Sequence, residues 1–178
     1  ASDGNLGAGF YTTESEQAAK EFASRHKDGT VLHGELAANR VLDLDALDKG
    51  TIGKLKAAIP TSAEGLIQYG WPRDLYNDQT TRDNTTKDLA KIHEDLDRGQ
   101  FNPRSLSYAV VQLDIGVLGS IYKAAGYDAL ARTGDALKSG TKYKEYATFS
   151  PEGQKLEART PAVTPAAEQP APPAKIGR

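Results

Sequence analysis

Apolar positions alternate or cluster tightly near the two ends of the chain and recur at helical spacing through most of the middle. Phe10 to Thr13 are aromatic or β-branched with glycines on their approach, which predicts a strand. Thr13 and Glu16 have capping-box spacing, and Ala18, Ala19, Phe22 and Ala23 share one helical face, so a helix is predicted over 15–27. Residues 30–36 and 39–44 read as one bent strand or two short ones. Residues 45–58 carry Leu47, Ile52 and Leu55 at helical spacing, followed by Ile59 and the terminator Pro60. Residues 60–86 are the least regular part and read as a functional or mobile loop, with a helix from Thr86 to Leu96. Residues 107–125 begin strand-like and end helix-like, with Gly126 at the stop. Strands are predicted over 127–130 and 143–149, joined by a polar connection, whereas residues 1–6 read as loop.

The order of elements makes this an α+β chain. Residues 1–158 suffice for one domain, and 159–178 have a different composition, with five prolines spaced by Ala and Glu. That segment cannot bury a core and is expected to be an extended tail or linker. Formal net charge over the 178 residues is −2, which argues against bulk capture of nucleic acid or anionic membrane. The sequence has no cysteine, so disulfides and thiolate metal sites are excluded. No apolar run approaches the roughly 20 residues of a membrane-spanning helix. The lack of an initiator Met and of a visible signal peptide suggests a chain excised from something longer. Carboxylate pairs such as Asp43/Asp45 lack the spacing of a calcium loop, and no metal is expected.

Tyr11 on the strand and Phe22 on the helix, with Gly9 beside the first, can form a slot for a flat ligand, because aromatic faces stack on planar rings and glycine admits close approach. The plain alternative is that both rings are core. Trp71, between Gly70 and Pro72, is either a buried anchor or a contact to a macromolecular target. His33 reads as a strand residue.

Gly7-Ala8-Gly9-Phe10-Tyr11-Thr12-Thr13, followed by Lys20-Glu21-Phe22-Ala23, resembles the second motif of the poly(ADP-ribose) polymerase and diphtheria-toxin branch of ADP-ribosyltransferases. Residues 30–36 with 41–44 look like the family's following strand. Tyr127-Asp128-Ala129-Leu130 and Lys144-Glu145-Tyr146-Ala147-Thr148-Phe149 are similar to its Gly-Tyr-Asp strand and to the strand carrying its catalytic glutamate. The resemblance covers roughly residues 7–44 and 126–150 and is closest to compact bacterial toxin-type members. It implies two small mixed sheets around an NAD cleft with flanking helices. It also implies that NAD is cleaved at the nicotinamide–ribose bond and ADP-ribose is transferred to a macromolecular acceptor.

In that picture Glu145 is the catalytic carboxylate, Tyr11 and Phe22 sandwich the nicotinamide, and Gly9, Phe10 and Thr12 contribute strand contacts to the ligand. Ala19 falls where some relatives place a serine that holds the carboxamide. The family's first strand carries a His or Arg that anchors a ribose, and none of the ten residues before Tyr11 is either. His33-Gly34 mimics that motif but follows the tyrosine strand. Tyr143 stands where arginine-modifying relatives have Glu or Gln, which weighs against an arginine acceptor. The resemblance further implies a secreted or injected effector acting in a target-cell cytoplasm, released from a parent polypeptide and neutralised in its producer by an immunity protein. Two alternatives remain: an NAD glycohydrolase with water as acceptor, and a non-catalytic interaction module on the same scaffold.

Overall fold

A computed structural model describes residues 2–110 and 115–161. Strand β1 (Ser2–Gly4) turns into β2 (Gly7–Thr13) and helix α1 (Glu16–Ala23) follows. Ser15, not Thr13, caps α1: its hydroxyl accepts from the Ala18 amide at 3.1 Å. The Thr13 hydroxyl instead donates to the Lys144 carbonyl at 2.8 Å and so ties two strands together. Next come β3 (Thr30–Leu36), β4 (Val41–Asp43), a 3-10 turn and α2 (Lys49–Ala58), whose N-cap Asp48 accepts from Thr51 N at 2.7 Å.

The region predicted to be irregular is largely helical. It contains α3 (Ala63–Leu66), a 3-10 turn, α4 (Arg73–Asn77) and the start of α5 (Gln79–Asp97). The polar run after Asn77 hides this start because it is the solvated face of the helix. Asp78 caps it, accepting from Thr81 N at 3.0 Å, while Thr85, Leu89, Ile92 and Leu96 form the buried stripe. Trp71 lies in the core at 2% exposure, so it is an anchor of this region.

Residues 107–110, expected to start a strand, belong to α6 (Pro103–Val110). Pro103 opens that helix, its fixed φ suiting a first turn, and Leu106, Ala109 and Val110 point inward. The middle of the strand-like stretch, residues 111–114, lies outside the described residues. Helix α7 (Ile115–Ala125) ends at Gly126, whose φ of 97° supplies the left-handed stop. Strands β5 (Ala129–Thr133), β6 (Lys144–Thr148) and β7 (Gln154–Pro161) complete the described chain. β7 carries ordered pairing three residues past the domain boundary expected at 158, and the rest of the expected tail lies outside the described residues.

The architecture is mixed α+β. Five strands form one small mixed sheet in the order β1-β2-β6-β5-β4, antiparallel except for the β4–β5 pair, and β3 with β7 makes a separate antiparallel pair. Residues 2–4, expected as loop, are therefore the short edge of the main sheet. One face of that sheet is closed by the helices. Leu42, Leu130 and Ala147 meet Leu55, Leu89, Leu106, Leu118, Ile121 and Tyr122 there in a single apolar cluster. A second, much smaller cluster of Ala18, Leu137 and Tyr143 sits under α1. The two sheets and α1 enclose the space between them.

Candidate functional site

That space is a cleft of about 1180 Å³ with walls from β2, α1, β3, β6 and the connection after β5. The tyrosine strand and the glutamate strand are direct neighbours, with Tyr11 opposite Ala147 and Thr13 opposite Glu145. Tyr11 and Glu145 are thus diagonal partners, a relation that brings side chains within about 7–8 Å. Tyr11, Thr12, Ala19, Phe22 and Glu145 all line the cleft.

Gly9 and Phe10 are not among the lining residues. A Cβ on Gly9 would stand 3.1 Å from the Ala147 Cβ, so the missing side chain lets β2 pack closely on β6. Phe10 pairs with Thr148, one position out of phase with Gly9 and Tyr11.

The two aromatic residues of the motif have separate local roles. The Tyr11 hydroxyl donates to the Gly7 carbonyl at 2.7 Å and accepts from Leu6 N at 2.8 Å. Its ring covers Gly4, where any Cβ would approach within 2.7 Å of it. Tyr11 therefore staples the β1–β2 turn and presents the rest of its ring to the cleft. Phe22 is 37% exposed. Its ring partner is Tyr143, edge-on at 5.7 Å, and the Arg25 guanidinium stands 4.5 Å from its centroid. The described residues thus give Phe22 an aromatic partner in Tyr143, one wall of a slot that the motif alone did not predict.

Glu145 is the chemically loaded group. It is 8% exposed, and its Oε1 is fully covered and accepts no hydrogen bond among the described residues. Its cross-strand partner on β5 is Arg132, whose Nε lies 3.4 Å from Oε1. Burial pushes the carboxyl above the ordinary carboxylate range; Arg132 opposes that rise and Asp135 adds to it. The Tyr143 phenol is pushed up as well, by burial first and then by the Glu145 charge. His33, read from the sequence as a plain strand residue, also lines the cleft and has a covered, unpartnered Nε2. Glu14 accepts from the Tyr146 hydroxyl at 2.9 Å on the rim.

Arg132 and Asp135 were missed because they lie in the stretch that reads as a polar connection. The usable signal was register: a hairpin closing on Glu145 must place some β5 side chain opposite it. On the other side of the sheet, Lys144 reaches Asp43 and Asp45 at 2.9 Å each, and Asp45 accepts from the amide and hydroxyl of Thr133. This cluster pins the 3-10 turn after β4 to the hairpin. It accounts for the Asp43/Asp45 pair in purely structural terms.

Among the described residues, no group of three or more His, Asp or Glu converges as metal ligands, and no helix is long and apolar enough to cross a membrane. No family model matches the chain, and neither the curated proteins nor the solved structures contain a significant match to it.

Proposed function

We propose that the chain is an NAD-cleaving enzyme of the ADP-ribosyltransferase type, which breaks the nicotinamide–ribose bond and transfers ADP-ribose to a macromolecular acceptor. One observation carries this reading: a nearly buried carboxylate, Glu145, on the strand paired with the tyrosine strand, in a cleft that also holds Phe22. The finer fold assignment, two small sheets around a dinucleotide cleft, rests on the same juxtaposition.

The chemistry follows from the charges. As the bond breaks, its electron pair leaves with the nicotinamide nitrogen, whose ring loses its positive charge, and positive charge builds on the sugar. A fixed anion in a water-poor slot stabilises that developing charge far better than one in bulk water. Glu145 is placed to do this and to accept a hydrogen bond from a ribose hydroxyl. The acceptor's nucleophile then bonds to the sugar carbon, and its proton leaves to Glu145 or to solvent. Among the described residues that line the cleft, carboxylates outnumber basic groups: Glu14, Glu16, Glu21, Glu35, Asp135 and Glu145 stand against Arg25 and two histidines, His26 and His33. Such a field favours the cationic nicotinamide end of NAD over its anionic pyrophosphate. An effector role outside the producing cell, release from a parent polypeptide and an immunity partner belong to the same proposal.

The test is nicotinamide release from NAD, with and without cell extract as a source of acceptors. Glu145→Gln is expected to lower the rate on the order of a hundredfold or more. Label transferred to macromolecules marks a transferase, and free ADP-ribose alone marks a glycohydrolase. No release in either case, together with no NAD binding by calorimetry, rejects the catalytic reading and leaves an interaction module.

A further inference from the structure

A carboxylate buried as deeply as Glu145 is expensive to keep ionised unless a cation compensates it, and neutral Glu145 would stabilise no positive charge. The described structure holds one ion-pair partner for it. Arg132 is its direct cross-strand neighbour in the β5–β6 register, with Nε at 3.4 Å. That Nε is itself steered, donating to the Thr133 carbonyl at 3.0 Å, and the Nη2 end stands 3.7 Å from Asp135. The oxygen facing Arg132 is the fully covered Oε1, so the compensation comes from the protein side. The exposed remainder of Glu145 faces the cleft that it lines.

We propose that Arg132 is the positioning residue for Glu145: it holds the carboxylate as an anion from behind and leaves its cleft side to the ligand, while Asp135 competes for the same guanidinium. This inference rests on the reading of Glu145 as the catalytic carboxylate. Because the contact is long and shared, Arg132 compensates charge without using up the carboxylate as a hydrogen-bond acceptor. A short bidentate pair would do the first and forfeit the second. Other groups face the same space. Tyr143 stands just ahead of β6, Tyr11 lies diagonally on β2, Glu21 comes from α1 and Arg25 from just past its end, and His33 and Glu35 come from β3. Of these, Arg25 is the nearest rival cation in kind, but it is engaged with Phe22 and Glu21.

The experiment follows the Glu145 carboxyl by carbon NMR across pH in the wild type, Arg132→Met, Arg132→Lys and Asp135→Asn. Nicotinamide release is recorded over the same pH range. Arg132→Met is expected to move the Glu145 titration to higher pH. The acid limb of kcat/KM should move with it, a loss of about tenfold near pH 6 that shrinks as pH rises. Arg132→Lys should restore most of the position, and Asp135→Asn should move the titration the other way. A purely structural role for Arg132 would lower activity equally at every pH and leave the carboxyl titration unmoved, and that result overturns the proposal. Amide exchange identifies a variant that fails to fold, in which case the lysine and Asp135→Asn variants decide. If the wild type releases no nicotinamide while the titrations shift as stated, the catalytic reading fails and the charge-holding role of Arg132 stands.

Discussion

Around Leu118, helices α2, α5, α6 and α7 close an apolar interior whose side chains are almost all hydrocarbon. Around Glu145, the cover is α1, one strand and a connection, and the apolar filling shrinks to Ala18, Leu137 and Tyr143. The first region buries much and asks little of each polar group. Both regions contain covered polar atoms that make no hydrogen bond among the described residues, Trp71 Nε1 and the Tyr122 hydroxyl in the first and Glu145 Oε1 and His33 Nε2 in the second, but the second has far less apolar filling around them. Burial of an unmet polar atom costs on the order of 1–3 kcal/mol, so a thinly packed region holding two of them relies on the helical body for its stability. Cost accepted on one side and supplied from the other is the pattern expected where a site is built onto a scaffold.

The strongest way to break this comparison is to weaken the scaffold alone. Leu118 is fully buried, and Leu118→Ala removes its contacts and leaves a cavity. The expected loss is about 2–5 kcal/mol, measured as a lower urea midpoint at unchanged slope. Under native conditions the folded fraction should keep wild-type nicotinamide release per molecule. A loss below about 1 kcal/mol would mean that the interior around α7 is not close-packed, and the contrast between the two regions would fall.

A second, smaller effect probes the other side. The folded-state pKa of Glu145 lies above its unfolded value, because burial and Asp135 outweigh Arg132. The native state therefore binds the proton more tightly than the unfolded chain does. Stability from this group is fully present below the unfolded pKa and is lost as pH rises through the folded one. Glu145→Gln removes that loss. It should be more stable than the wild type at neutral pH, seen as a higher Tm, with the advantage fading in acid. Equal Tm values for the two proteins from acid to neutral pH would show that Glu145 carries no ionisation cost.

The same division explains what the sequence made legible. The tyrosine and glutamate strands and the α1 stripe were readable because strong local signals, aromatic and β-branched residues and a periodic Ala18/Phe22 face, agree with the tertiary structure. α5 was half hidden because its first two turns, Gln79 to Thr86, are polar all round and are helical only through the Asp78 cap and the later stripe. β1 and β7 have almost no strand vocabulary; their partners β2 and β3 define them, and long-range pairing is invisible to a local pattern. The choice of Tyr11, Phe22 and Glu145 came from a motif, and all three do line one cleft. A glycine in a strand admits a neighbouring strand as readily as a ligand, and the closeness of Ala147 to Gly9 is visible only in the fold. Arg132 needed the register of a hairpin whose turn has no fixed length in the sequence.

The smallest expected effect separates two oxygens that look alike on paper. The Tyr122 hydroxyl, like Glu145 Oε1, is covered and has no hydrogen-bond partner among the described residues. Tyr122 sits in the scaffold, stacked on Phe149 at 4.9 Å and edge-on to Phe101, and burial drives its phenol so far up that it stays neutral throughout the accessible pH range. Tyr122→Phe removes the unmet group but leaves a gap smaller than a methyl, so its gain and its packing loss nearly cancel. Stability should change by less than about 1 kcal/mol, towards the stable side, with no pH dependence and no change in nicotinamide release. A destabilisation above roughly 1.5 kcal/mol would mean that the hydroxyl is satisfied by an internal water, and the interior around α7 would then be wetter than its apolar lining implies.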